Sequence, residues 1–314
     1  MEVKVISTND KVWNFAEVCT TIATAKSSNE ELVLDLNSEG PDFETLGLLD
    51  IIDGYPTKVI NCQNTVQKNL PGIEICVDSH NKTLNLTRNS LKHINITKKI
   101  TTAFGMFIGR SNVHRLFLSG YVYANTESKQ TFHYDPSIDV HKNNVGLEQL
   151  LELYGTQNAD DVFKLIKNSP LICDPVTYPI YDTHHHNIAS EYNNFLVDIV
   201  CESYYSGNTF FPTEKIWRPI MLSTPFIVQG PQWFLQRLHD LGFQTFDRWW
   251  DEGYAEDPAD HQPLEIIKII DAIKTKSIDE LTTMHEEMKP ILEHNRKCLM
   301  NLSEEDFTKC RVDF

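Results

Sequence analysis

Apolar residues recur along the chain in two rhythms, short β-branched runs and longer stretches at helical spacing. Their alternation predicts βαβ units around parallel sheets. In the first third, the pattern predicts strands over 3–6, 31–37, 58–62 and 73–77, with helices over 13–25 and 43–52. The polar stretch 81–99, rich in Asn, Thr and Lys, reads as a hairpin or a crossing between domains rather than as core. The pattern restarts with a strand over 104–109 and a helix opened by Ser111, with Val113, Leu116, Phe117, Gly120 and Tyr121 on its apolar side. A strand over 129–134, helices over 147–154 and 160–167 and an irregular connection over 170–179 follow. Beyond them lie a strand over 197–201, a helix over 214–222, a strand over 225–229, and helices over 233–241, 264–274 and 278–302. The fold class expected is α/β, and the length allows two compact domains, placed at 1–99 and 100–314.

Candidate chemistry concentrates in the stretch 197–230. Its first strand ends in Glu202-Ser203, a Gly-Asn turn follows, and Pro212-Thr213 opens the next helix. Loop ends and a helix N-terminus then share one edge of a parallel sheet, where open α/β folds bind ligands. Thr213 suits an N-cap, and Glu214 suits the positive end of the helix dipole. Lys215 opposes that dipole by roughly 0.3–1 kcal/mol. Either it snorkels into solvent, or it holds an anion such as a phosphate alongside the helix N–H groups. Upstream, Gly109-Arg110-Ser111-Asn112 is a tight turn whose glycine admits the close approach of a ligand.

Composition narrows the classes. With 41% hydrophobic and 23% charged residues, no run of eighteen apolar positions and no signal-peptide pattern at MEVKVISTND, a cytoplasmic protein without a membrane anchor is expected. Seven cysteines without close pairing read as reduced thiols rather than a disulfide framework or a zinc site. The sequons at Asn81, Asn85, Asn95 and Asn301 are then chance matches. A net charge of −16 disfavours a surface that tracks nucleic acid, whose affinity comes from Lys and Arg neutralising phosphates. A local basic cluster at Lys92, His93, Lys98 and Lys99 would be needed to reverse that.

Glu202-Ser203, Thr213-Glu214-Lys215-Ile216, the apolar helix and the Pro-Phe-Ile-Val strand at 225–228 together resemble the donor-binding motif of the fucosyltransferase-type glycosyltransferases. The motif is also similar to that of glycosyltransferases encoded by large phages and algal viruses, down to the later Gly242-Phe243-Gln244-Thr245-Phe246. The resemblance spans roughly 104–250, and T-E-K is its specific part. One departure is that Cys201-Glu202-Ser203 replaces the family's aromatic-Glu-Asn-Ser.

The resemblance implies the GT-B architecture, two Rossmann-like domains facing a cleft, with a small acceptor-side domain, a donor domain and a long terminal helix crossing back to the first. It implies inverting transfer of a hexose, deoxyhexose or pentose from a nucleotide diphosphate sugar to a hydroxyl acceptor, with no metal or other cofactor. An arginine is expected on the diphosphate, with Arg115 as the best match and Arg110 as competitor. Lys215 and the helix end complete that leaving-group site, Glu214 holds ribose hydroxyls, and Glu202 holds ribose or sugar. A first-domain carboxylate must take the acceptor proton. Glu39 is preferred because its loop follows a strand end, with Asp42 and Asp35 as rivals.

The acceptor is a glycan or another hydroxyl compound. A hydroxymethylated base of phage DNA, with the chain in the host cytoplasm, is an alternative, and so is a nucleotide-sugar or carbohydrate binder without catalysis. His184-His185-His186 reads as a loop, a lid over the sugar, since consecutive histidines point in different directions and rarely ligate one ion. Phe246, Trp249 and Trp250 read as packing rather than a stacking platform for a sugar.

Overall fold

The computed structural model describes residues 1–5, 7–8, 11–12, 14–35, 47–52, 54–61, 73–77, 82–109, 113–132, 151–152, 154–171, 188–203, 205, 210–303 and 306. The chain is α/β, with two parallel four-stranded sheets. The first runs in sequence order: β1 (Glu2–Lys4), β4 (Leu32–Asp35), β5 (Thr57–Asn61) and β6 (Ile73–Val77), with the short antiparallel pair β2 (Ser7–Thr8) and β3 (Lys11–Val12) between β1 and β4 in the chain. Helix α1 (Phe15–Ser28) presents Val18, Ile22 and Ala25 to Val3, Leu32 and Leu34, and α2 (Leu48–Ile52) adds Leu48 and Ile52 to the same small core. Tyr55 ties the layer together, its hydroxyl donating to Glu30 O at 2.6 Å.

The stretch at 81–99 departs from the hairpin or crossing expected of it. It contains α3 (Lys82–Leu91), whose Leu84 and Leu91 are buried in the core of the second sheet. Asn85 and Asn89 are exposed while Thr87 is buried beside the two leucines, so one face of an Asn- and Thr-rich helix is anchored in that core.

The second sheet has the order β10-β9-β7-β8, all parallel: β7 (Thr102–Ile108), β8 (Ser128–Phe132), β9 (Phe195–Cys201) and β10 (Phe226–Gln229). Every residue of β7 and β9 is buried, as central strands covered on both faces should be. From β7 the chain passes through α4 (Val113–Asn125) outward to β8, and from β9 through α6 (Glu214–Met221) outward to β10, with α5 (Thr156–Asn168) lying between these two units. The two crossovers leave the adjacent strands β7 and β9 in opposite directions, so the strand order reverses between them.

α4 packs closely on α5 because Gly120 has no side chain, and a Cβ there would lie 2.9 Å from the Val162 backbone nitrogen. Then come α7 (Phe234–Asp240), α8 (Gln262–Lys274) and α9 (Ile278–Asn301), the last opened by a capping box between Ser277 and Glu280. α9 packs on α6, β7 and β9, so among the described residues this terminal helix lies against the second sheet. Its buried Leu281, Met288, Leu292 and Leu299 join the second core. Phe246 packs edge-on to Phe226 of β10 and against Trp249 and Trp250, the packing role expected of these aromatics. No helix among the described residues is long and apolar enough to cross a membrane.

Candidate functional site

The C-terminal ends of β7 and β9 flank the point where the strand order reverses, and six of the residues singled out in the sequence meet there: Arg115, Glu202, Ser203, Thr213, Glu214 and Lys215. β9 ends at Cys201, and the N–H of Glu202 donates to Gln229 O of β10 at 3.0 Å, fixing the direction in which the chain leaves the sheet. The Glu202 carboxylate is 1% exposed and turned inward. Its Oε1 accepts from the Thr213 N–H at 3.0 Å, and its Oε2 accepts from the Thr213 hydroxyl at 2.6 Å and the Ser203 N–H at 3.2 Å. Burial pushes this carboxyl above the usual range, while the Lys215 charge and the Thr213 bonds hold it back. Glu202 therefore clamps the start of α6 to the end of β9.

Thr213 is the N-cap foreseen, its Oγ1 accepting from the Lys215 N–H at 3.3 Å. Lys215 does not snorkel. Its ammonium folds back and donates to Glu214 Oε1 at 2.7 Å, Ser203 Oγ at 2.9 Å and Thr213 Oγ1 at 3.1 Å. The side chains of Lys215 and Glu214 keep 17% and 24% of their exposure, so the pair reaches solvent while its charges are fixed. Burial raises the Glu214 carboxyl, but the Lys215 ammonium and then Arg218 pull harder and bring it down to about 2.

Arg115, in the first turns of α4, is buried. Its Nη2 donates to Glu202 O at 2.8 Å and Cys201 O at 3.3 Å, which fastens the β9 end to the helix after β7. Gly109 follows the last residue of β7 on the same sheet edge. Arg110, Glu39, Asp42 and His184–His186 lie outside the described residues. Asp35 is the last residue of β4 in the first sheet.

Several neighbours were not foreseen. His114, 5% exposed, shares a hydrogen bond with the Tyr154 hydroxyl through Nδ1 at 3.0 Å and lies 3.7 Å from the Tyr205 ring, centroid to centroid. Burial lowers this imidazole to about 4, with Arg115 adding to the effect, so it is neutral at pH 7. Arg218, one turn after Glu214, sits over the Phe107 ring at 5.7 Å and belongs to a buried polar chain with Tyr192 and Asp198, whose hydroxyl and carboxylate are bonded. The i, i+4 spacing of Glu214 and Arg218 was the signal that could have found it.

Lys98 belongs to the same interior chain. Its ammonium donates to Tyr192 O at 2.7 Å, Phe195 O at 2.8 Å and Thr224 Oγ1 at 2.9 Å, and burial lowers it to about 7. It is therefore spent inside the fold and does not join Lys92, His93 and Lys99 in a surface cluster for nucleic acid.

No protein-family model, curated protein or solved structure matches the chain.

Proposed function

We propose that the chain is a glycosyltransferase of GT-B architecture that takes a sugar from a nucleotide diphosphate sugar and passes it to an acceptor hydroxyl. The observation that carries this reading is the fixed Glu214–Lys215 pair at the N-terminus of α6, positioned where the strand order reverses between β7 and β9. Ligands of open α/β sheets bind at such switch points. A partly exposed ammonium at a helix N-terminus suits a phosphate. The T-E-K resemblance selects a nucleotide diphosphate sugar among the phosphate ligands that would fit.

The acceptor oxygen attacks the anomeric carbon as the bond from that carbon to the diphosphate breaks, and the acceptor proton passes to a carboxylate. Negative charge builds on the departing diphosphate, and Lys215 with the α6 N-terminus stabilises it. The three ammonium hydrogen bonds of Lys215 mean that the diphosphate displaces one of them. Ser203 Oγ is the neutral, half-buried partner and the easiest to exchange. Glu214 then has a free edge for ribose hydroxyls. Arg115 acts through the backbone of Cys201 and Glu202, setting the loop that carries Ser203. Glu39 is the proposed proton acceptor.

The test is incubation with a panel of UDP-, GDP- and dTDP-sugars, following nucleotide diphosphate release with and without added glycosides. Release with one donor, accelerated by an acceptor, supports the reading. Tight binding of a nucleotide diphosphate sugar with neither release nor transfer would identify a non-catalytic binder instead.

A further inference from the structure

We propose that Tyr205 is the ring on which the base of a nucleotide lies, so that the T-E-K site takes a nucleotide rather than any phosphate ligand. This rests on the phosphate role of Lys215 and assigns the other half of the same ligand. Tyr205 belongs to the loop that leaves β9 and returns as α6, two residues after Ser203. The Ser203 hydroxyl accepts from the Lys215 ammonium at 2.9 Å. Two residues of chain span at most about 7 Å, so the backbone that carries the ring stands at the same mouth as that ammonium.

A column of aromatic groups rooted in the core holds the ring. Phe117 of α4, 1% exposed, stacks on Tyr154 with centroids 3.8 Å apart and planes 4° from parallel. The Tyr154 hydroxyl is bonded to His114 Nδ1, and the Tyr205 ring lies against His114 at 3.7 Å between centroids. His114 is neutral at pH 7 and so supports the ring without setting a charge beneath it. Phe117, Tyr154 and His114 are buried, whereas Tyr205, at the outer end, keeps part of its surface in water. A ring fixed before the ligand arrives loses little freedom on binding. Stacking of this kind accepts any base, since every base has a π-face.

Charge decides which end of the ligand lies where. Lys215 and the N-terminus of α6 form the cationic end. Asp260, exposed just before α8, lies close enough for its charge to act on both His114 and Tyr154. Arg115, the cation beside His114, is spent on the carbonyls of Cys201 and Glu202. A phosphate is drawn to Lys215 and repelled by Asp260, so the anionic part of the ligand lies at α6 and an uncharged part at Tyr205. A nucleotide has this polarity, with a planar neutral base at the end away from its phosphates. A sugar phosphate shares the polarity but has no planar π-face to lay on a tyrosine.

The test is titration calorimetry on the full chain with UDP, GDP, dTDP, inorganic pyrophosphate and glucose 1-phosphate. At least one nucleoside diphosphate is expected to bind about tenfold or more tightly than pyrophosphate. Tyr205→Ala is expected to weaken that nucleotide by about 5–100-fold, the range of one base–aromatic stack, while Tyr205→Phe stays close to the parent. Pyrophosphate, which the Lys215 end holds by itself, is expected to bind Tyr205→Ala as it binds the parent. Should Tyr205→Ala not fold, saturation-transfer NMR on the parent reads the same contact, and base protons are expected to receive more saturation than ribose protons. Full nucleotide affinity in a folded Tyr205→Ala variant, base protons saturated no more than ribose protons, or a loss in that variant confined to glucose 1-phosphate would overturn the assignment. Pyrophosphate binding that depends on Lys215 and gains nothing from a base overturns the role of Tyr205 alone, whereas no binding of pyrophosphate or of any nucleotide overturns the phosphate site with it.

Discussion

Lys215 is held rather than loose, and that decides what its removal should do. Its three hydrogen bonds fix the ammonium at the mouth of the site before any ligand arrives. Lys215→Ala is expected to weaken nucleoside diphosphate binding by about 10–100-fold, the range of one or two charge-assisted bonds. Titration calorimetry reads this directly, and unaltered affinity would remove Lys215 from the phosphate role.

A second residue-scale expectation concerns acid. His285 is buried in α9, and burial, followed by the charge of Lys98, lowers it to about 4. The unfolded chain thus binds a proton between about pH 6.5 and 4 that the folded chain refuses, so this residue makes stability fall as pH falls through that window. In thermal unfolding at pH 7 and pH 5, His285→Gln should lose less stability on acidification than the parent. An equal or larger loss in the variant would contradict the assignment. The sequence marked Lys215 because a cation there opposes the dipole, but the acceptors that hold it come from two chain segments and were not visible in it.

At the scale of elements, α6 is short and depends on its start. Thr213 caps it, and through one hydroxyl it also bonds the buried Glu202 carboxylate. Thr213→Val should cost about 2–4 kcal/mol, combining a lost cap with a charged acceptor left short of a donor. Thr213→Ser should recover most of it, and urea denaturation of both variants tests the pair. Equal destabilisation by Val and Ser would show that the hydroxyl is not what matters. Gly120→Ala should destabilise by about 1–3 kcal/mol through overpacking, since α4 and α5 must separate to admit a methyl group.

Element types and most core faces were legible, because strands such as 197–201 and helices such as 264–274 repeat their apolar positions at the right spacing. The helix at 82–91 was not. Its composition favours turns, and two buried leucines outweigh that only because a neighbouring core is there to receive them.

At the scale of the whole molecule, the proposed transfer relies on a fixed ammonium and a helix end to stabilise its leaving group, so transfer is expected to continue in EDTA. Activity lost to the chelator and restored by Mg²⁺ or Mn²⁺ would contradict that arrangement. The proposed proton acceptor is tested by transfer assays of Glu39→Gln beside Asp42→Asn and Asp35→Asn, with donor affinity measured in parallel. Glu39→Gln should keep its affinity and lose about 10²–10⁴-fold in turnover, whereas near-normal turnover would pass the role to a rival.

The sequence by itself determined the α/β class, the strand–loop–helix–strand unit around 197–230 and the T-E-K capping position, because these depend on spacing and local backbone chemistry. Only the tertiary structure decided that α9 lies against the second sheet, that Arg115 grips the end of β9, and that Lys98 is buried. A charge far away in sequence shows neither its partner nor its burial in a local pattern. The reason is the same in each case: buried polar groups are paired by whichever elements the fold brings beside them.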